Sequence, residues 1–355
     1  MKIIAWPAFQ NRVYNPYNYL LYSQIVASGA NVEEFSPTSL LRQRYDVFHI
    51  HWPELVLVHP SPIRSFVKTL LFLILIKWLK SRGTRVLWTV HNLQAHEANL
   101  HLALSKILWP NFIRNVDACI SLSHAGQSQL QQTFVSLNNR SIFVVPHGHY
   151  RDIYPNQVIR TEARTQLRLP VDAQVITFFG QIRPYKNVLH LIQVFRKLKG
   201  ENLVLLIAGR SRLSPEQEGE LKAIAADPRV KLFLQFIPDE DIQLYLNAAD
   251  LVVLPYQEIL NSGSALLALS FNRPVLVPNR GAMSELQQQV GSAWVRTYTG
   301  ELNSTMLQES LDWAGNELRS EEAPLDELSW ESLGQKTLAV YHSICKTEPS
   351  LSTQN

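Results

Sequence analysis

Short apolar runs alternate with helix-length stretches of mixed polarity in both halves of the chain. In the first half, Lys2–Trp6, Asn31–Phe35, Asp46–His51, Arg85–His91, Ala118–Ser121 and Ile142–Pro146 read as strands, with helices over Tyr17–Ala27 and Ala125–Thr133. In the second, strands are expected at Val175–Phe179, Leu203–Ala208, Val230–Phe236, Leu251–Leu254 and Pro274–Val277. Helices are expected there at Val188–Lys199, Pro215–Ala226, Asp239–Ala248 and Ser264–Ser270. Apolar strands separated by helices form parallel sheets covered on both faces. The expected fold class is therefore α/β, with two Rossmann-like, doubly wound domains. The polar stretch Gly148–Asp172 breaks this rhythm before a fresh strand, which sets expected domains at 1–160 and 161–328. Residues 329–355 add a helix, from Ser329 and Trp330 to about Ile344, and a tail; the pattern leaves their packing partner open. Open α/β sheets bind ligands beyond the carboxyl ends of their strands, so an interdomain cleft is the expected site.

One segment departs from the pattern. Phe66–Lys80, FVKTLLFLILIKWLK, runs apolar without a break from Leu70 to Ile76. It is shorter than the roughly 20 apolar residues that span a bilayer. The expectation is a buried helix covering the sheet. Trp78 and the cations Lys68, Lys77, Lys80, Arg82 and Arg85 keep a second reading, peripheral contact with a membrane surface.

A length of 355 residues suits two domains of about 150 each, and 46% apolar residues suffice for a core in both. A net charge of +3 argues against a nucleic-acid partner. Cys119 and Cys345 stand far apart, outside any metal-ligand or disulfide spacing, which fits a reducing compartment. The opening MKIIAWPAFQ reads as a strand and not a secretory signal, so the expected location is the cytoplasm, extending to the inner face of its membrane.

Two loops carry candidate chemistry. In FFGQIRPYKN, Phe178–Asn187, Gly180 permits close approach of backbone to a ligand, and Arg183 and Lys186 supply cations before a helix start. A phosphate site follows from that combination; two solvated cations on a turn are the plain alternative. In PYQEILNSGS, Pro255–Ser264, the residues Ser262, Gly263 and Ser264 join hydroxyls and unhindered backbone to another helix start, fit either for a diphosphate or for a simple N-cap.

These loops, with LLIAGR (Leu205–Arg210), FIPDEDIQLYLNAADLVVLPY (Phe236–Tyr256) and RPVLVPNRGAMSEL (Arg273–Leu286), resemble the donor domain of GT-B glycosyltransferases of the family 4-like, group 1 branch. WTVHN at Trp88–Asn92 and VPHG at Val145–Gly148 resemble the same superfamily. The resemblance implies a GT-B fold, an acceptor-side first domain and a nucleotide-sugar donor, GDP- or UDP-linked, in the second. It implies a diphosphate met by Gly180, Arg183, Lys186, Ser262, Gly263 and Ser264, and a nucleobase and ribose region around Gly209, Arg210, Ile237, Pro238 and Glu285. It also implies no cofactor and no metal, although His49, His51, His91 and His96 have a spacing compatible with coordination. The branch's paired glutamates, seven positions apart, are missing: Leu267 stands at the second position and Glu258 only near the first. That absence leaves inversion and retention both open.

In the first half, polar residues gather at strand ends: His49, His51 and Glu54 in FHIHWPE, then His91, Asn92, His96 and Glu97 in VHNLQAHE. His91 and Glu97 are the candidate catalytic groups, because inverting transfer needs a base for the acceptor hydroxyl. Tyr14, Asn15, Tyr17, His51 and Glu54 are candidates for the acceptor side, with aromatic rings suited to sugars. Satisfied core imidazoles and a turn at Asn15-Pro16 are the structural alternatives. The expected function is transfer of a hexose, mannose for instance, to a saccharide or lipid-linked saccharide in polysaccharide or envelope synthesis. A nucleotide-sugar epimerase and a noncatalytic relative that binds nucleotide sugar are the competing classes.

Overall fold

The computed structural model describes residues 1–13, 15–93, 102–151, 153–258, 261 and 263–346. In chain order it runs β1 (Lys2–Trp6), α1 (Tyr17–Ala27), β2 (Asn31–Glu34), α2 (Pro37–Arg42), β3 (Val47–Ile50), α3 (Pro62–Ser81), β4 (Arg85–Val90), α4 (Leu102–Asn115), β5 (Ala118–Ser121), α5 (His124–Thr133) and β6 (Ser141–Val144). It continues through α6 (Arg160–Gln166), β7 (Gln174–Phe179), α7 (Val188–Phe195), β8 (Leu203–Ala208), α8 (Pro215–Ile224), β9 (Val230–Phe233), α9 (Ile242–Asn247), β10 (Leu251–Val253), α10 (Gly263–Ser270), β11 (Val275–Pro278), α11 (Met283–Val290), β12 (Val295–Tyr298), α12 (Ser304–Asn316) and α13 (Trp330–Lys346). The chain forms two compact units, Met1–Gly148 with Glu327–Asn355, and His149–Asp326. Each holds one six-stranded sheet, and every strand pairing is parallel.

The first unit orders its strands β2-β1-β3-β4-β5-β6. Its strands read as unbroken apolar runs because both faces are covered. On one face Phe72, Ile76 and Leu79 of α3 and Phe112 of α4 pack into a single cluster with Phe48, Val86 and Trp88. On the other, α1 and α13 contribute Tyr17, Leu21, Tyr22, Leu333 and Tyr341. Ser329 starts α13, its Oγ accepting the Ser332 N–H at 3.3 Å. Packing on α1 settles where the carboxy-terminal helix belongs. Burial of side chains such as Leu333 and Ile344 at the ends of this contact is worth about 1.5–3 kcal/mol each.

α3 departs from the buried helix expected at Phe66–Lys80. Only one stripe is covered: Ser65, Thr69, Phe72, Leu73, Ile76 and Leu79 are buried, whereas Ile63, Phe66, Val67, Leu70, Leu71 and Ile74 are exposed. A helix lying on a sheet hides one side, and the sequence is apolar on both. The two polar residues on the buried stripe are satisfied, with the Ser65 hydroxyl donating to the Leu57 carbonyl and Thr69 to that of Ser65.

The second unit has strand order β12-β11-β10-β7-β8-β9. It begins at His149, not 161, because the segment after Gly148 is bonded within this unit: the Tyr150 N–H donates to Ser270 Oγ, and those of Gln157 and Val158 to Gln243 Oε1. It ends at Asp326 and not 328, where the 3₁₀ turn Asp326–Leu328 leads into α13. Arg164 of α6 is fully buried, its guanidinium bonded to the Ala248, Val171 and Ala173 carbonyls and, at 2.8 Å, to Asp250. That ties the polar junction stretch to the amino ends of β7 and β10, leaving their carboxyl ends for chemistry.

Candidate functional site

In the second unit the strand order reverses direction between β7 and β10, the position where open α/β sheets leave a crevice at the carboxyl ends. The loops leaving these two strands are joined there, the Gln257 N–H donating to the Tyr185 carbonyl at 2.8 Å. Gly180 has φ +128°, and a Cβ built on it would stand 3.0 Å from Ser264 Oγ and 3.4 Å from Lys186 Nζ. Glycine therefore keeps open a small space faced by a hydroxyl and an ammonium. Gly209, at the end of β8, closes the back: a Cβ on it would collide with the Gly180 carbonyl. Gly263 begins α10, whose first N–H groups lack intrahelical partners.

Lys186 is 9% exposed, with its Nζ 5.0 Å from the centroid of the Tyr256 ring. Burial lowers its pKa to about 8. Among the described residues no carboxylate forms an ion pair with it. A buried ammonium beside a hydroxyl and a helix start has the donor set that receives a diphosphate. In the loop after β10, the amide nitrogen and oxygen of Asn261 are buried, and among the described residues neither has a hydrogen-bond partner.

The remaining donor-side candidates are more spread out. Among the described residues the Arg183 guanidinium reaches only Gln181 Oε1, at 3.1 and 3.2 Å. Arg210 is exposed, and its carbonyl accepts the Ile182 N–H. Ile237 and Pro238 follow the edge strand β9, and Glu285 lies half-buried in the first turn of α11. Ser262 lies outside the described residues. A cavity of about 210 Å³ at the ends of β10, β11 and β12 was not anticipated; Tyr256, Gln257, Arg280, Tyr298 and Glu301 line it. The polar NRG that follows the apolar β11 was its only trace in the sequence.

The first unit reverses direction between β1 and β3, and a different chemistry gathers there. His51 Nδ1 lies 2.9 Å from His91 Nε2, and His51 Nε2 lies 2.6 Å from the Tyr22 hydroxyl. Tyr22 reaches His49 Nδ1 at 2.9 Å, Tyr341 reaches the same nitrogen at 2.7 Å, and His49 Nε2 meets Thr89 Oγ1 at 2.7 Å. Burial holds His49 down to about 3 and His147 to about 4. His51 and His91 are also held well below the usual imidazole value, by burial first and by neighbouring imidazoles second. The cluster is thus neutral at physiological pH.

His91 stands at the outer end of this chain, half-buried, stacked on Trp52 at 4.5 Å between centroids and flanked edge-on by Tyr17 at 4.8 Å. Among the described residues no hydrogen bond engages its Nδ1. His51 is buried behind it, so any reach from this pair to a ligand runs through His91. Tyr17 is buried too, and Asn15 accepts the Tyr17 N–H at the start of α1, a local capping role. Glu54 is half-buried in the 3₁₀ helix Pro53–Leu57. Tyr14, His96 and Glu97 lie outside the described residues. Tyr22, Thr89 and Tyr341 were not anticipated; Thr89 lies within the WTVHN segment, and no local motif marks the two tyrosines. Both nitrogens of His49 face hydroxyls, and among the described residues no group of three or more His, Cys, Asp or Glu side chains is placed to hold a metal ion.

Comparison with known proteins gives this geometry a family. Residues 159–298 match the model of the glycosyl transferases group 1. The GDP-mannose:glycolipid 4-beta-D-mannosyltransferase of Xanthomonas campestris pv. campestris is 31% identical over 333 residues, covering 92% of this chain and 88% of that protein. The chain belongs to the group 1 glycosyltransferases. The sucrose-phosphate synthase of Thermosynechococcus elongatus superposes with a TM-score of 0.69 at 16% identity, covering 97% of this chain and 99% of that one. Alr3699/HepE of Anabaena, solved with UDP-glucose, superposes with a TM-score of 0.63 at 15% identity, each chain 98% covered. The fold of this glycosyltransferase is thus GT-B, with two parallel six-stranded sheets. Leu267, at the position where the resemblance implies the second of the paired glutamates, lies in α10 and is 9% exposed.

Proposed function

We propose that this glycosyltransferase moves a mannosyl group from GDP-mannose to a saccharide of a lipid-linked acceptor in envelope or exopolysaccharide synthesis, with inversion at the anomeric carbon. The observation that carries the reading is the convergence of Lys186 and Ser264 on the space Gly180 leaves open. The sugar and the acceptor class rest on the activity for which the Xanthomonas relative is named. No cofactor or metal takes part: the Lys186 ammonium, Ser264 and the N–H groups of α10 stabilise the charge that develops on the leaving diphosphate. The glycosyltransferase works in the cytoplasm, at the membrane face where a lipid-linked acceptor is found.

An α-linked sugar nucleotide gives a β-glycoside by one displacement, which fits a site without a carboxylate nucleophile at Leu267. The acceptor oxygen bonds to the anomeric carbon, the bond to the diphosphate breaks with its electron pair, and the hydroxyl proton passes to His91 Nδ1. One direction of the hydrogen bonds makes that nitrogen a base: His91 Nε2–H donates to His51, His51 to Tyr22, Tyr22 to His49, and His49 to Thr89.

Incubating the enzyme with GDP-mannose, UDP-glucose and a glycolipid acceptor tests the proposal. The expected result is mannosyl transfer with GDP release. For His91→Gln, kcat falls by about 10²–10⁴ while GDP affinity is retained. Epimerised donor without glycoside, or nucleotide binding without turnover, overturns the proposal in favour of the two competing classes.

A further inference from the structure

We propose that the solvent-facing side of α3 docks the first unit onto a membrane surface bearing anionic headgroups. This deepens the reading of a lipid-linked acceptor, by assigning the surface that meets the bilayer. Ile63, Phe66, Val67, Leu70, Leu71 and Ile74 recur at helical spacing, and their exposures run from 45% for Phe66 to 75% for Ile63. A row of large apolar side chains this open to water is uncommon on a protein that meets only water. The opposite stripe of α3 is held in the core, so the exposed row is a fixed feature of the surface.

Charge decides which occupant fits. No Asp or Glu occurs between Ser61 and Arg85. Arg64, Lys68 and Lys77 edge the apolar row and are exposed. Arg82 lies 4.6 Å over the Trp78 ring at the end of the helix and donates to the Leu40 carbonyl. That bond brings up α2, which exposes Leu41, Arg42 and, just beyond it, Arg44. Among the described residues, the cations of this segment that form ion pairs are Lys80 and Arg85, both with Asp117.

An apolar face rimmed by cations without acids is the signature of a helix lying in a lipid interface, its lysines near phosphates and its aliphatic side chains below them. A second copy of the chain is the poorer fit, because a two-fold contact through α3 would set these cations against their own counterparts with no carboxylate between them. The helix lies on the bilayer and does not cross it: no helix among the described residues is long and apolar enough to span.

Flotation of the full chain with vesicles tests this directly. The expected result is binding to vesicles of phosphatidylcholine with phosphatidylglycerol, weakening as salt is raised, and at least about tenfold weaker binding to phosphatidylcholine alone. Leu71→Glu with Ile74→Glu is expected to lower vesicle binding by a factor of about ten or more, and Lys68→Glu with Lys77→Glu to remove its salt dependence. All four positions are exposed, and calorimetric affinity for GDP is expected to stay unchanged in both variants, which separates this surface from the donor site. Protein left unbound by anionic vesicles, binding untouched by both variants, or a concentration-dependent dimer abolished by Leu71→Glu with Ile74→Glu would overturn the proposal. Such a failure with GDP still bound leaves the donor reading standing.

Discussion

The two sheets end in opposite kinds of chemistry. At the β7/β10 crossover of the second unit, a cation with no carboxylate partner among the described residues is buried beside a helix start. At the β1/β3 crossover of the first unit, imidazoles and phenols bond one another into a neutral chain. The first arrangement stores positive potential and waits for an anion. The second stores none, and offers a lone pair whose basicity is set by what stands behind it. Glycosyl transfer requires both: a sink for the departing diphosphate's charge and an acceptor for one proton. On the proposed function, the same topological position supplies a different half of the reaction in each unit, because the side chains beyond the strands differ while the backbone rule is shared.

The comparison is most easily broken at Lys186. Lys186→Met removes the charge and keeps most of the volume, so the fold should hold while turnover drops by about 10²–10³, in the range found for removing one preorganised donor. GDP affinity should fall as well, because charge in this unit acts on the ground state too. The wild-type enzyme offers an independent reading. With the Lys186 pKa at about 8, the ammonium is present below that pH and lost above it. Calorimetric affinity for GDP should thus be flat below about pH 8 and weaken about tenfold per unit above it, with no such break in Lys186→Met. An identical break in the variant would place the charge elsewhere.

The first unit should respond to pH in the opposite direction, and in stability before binding. His49, His51, His91 and His147 are held neutral by burial, whereas in the unfolded chain each takes up a proton near pH 6.5. Between their folded values and pH 6.5 the unfolded state binds more protons, so stability is full above about pH 6.5 and falls as the pH is lowered. Each such histidine adds a slope of up to about 1.4 kcal/mol per pH unit. Urea unfolding between pH 7.5 and 5 should show that slope, and His49→Gln should reduce it.

How much of this was legible in the sequence follows a physical line. The strands announced themselves because a parallel strand is an apolar run, and the convergence of Gly180, Lys186 and Ser264 was legible as a glycine and a cation within a few residues of a helix start. β12 went unseen: VRTY is short, and its two middle residues are half-buried at a sheet edge, so no apolar run marks it. His51 and His91 were legible as polar strand ends, but Tyr341, 292 positions from His49, could be placed only by the packing of α13 on α1. The run in α3 supported both a buried helix and a surface one, and sequence could not choose between them. Hydrophobicity reports what a side chain prefers, and this helix presents apolar residues on a side the fold leaves open.

The smallest expected effect sharpens the comparison most, because it probes the chain behind His91 without touching His91. Tyr22→Phe removes one hydroxyl at the centre of the network, leaving His51 Nε2 and His49 Nδ1 without their shared partner. A neutral hydrogen bond contributes about 0.5–1.5 kcal/mol net, so kcat should fall by roughly two- to tenfold. If the hydroxyl is only packing, the variant loses stability and kcat keeps its pH profile. If it orients the proton acceptor, the acid limb of the kcat profile shifts, because the His51 tautomer that accepts from His91 Nε2 is no longer fixed. Affinity for GDP should not change in either case, since the proposed diphosphate site belongs to the other sheet. A loss of GDP affinity equal to the loss in kcat would mean that the two strand-end sites do not divide the reaction between them.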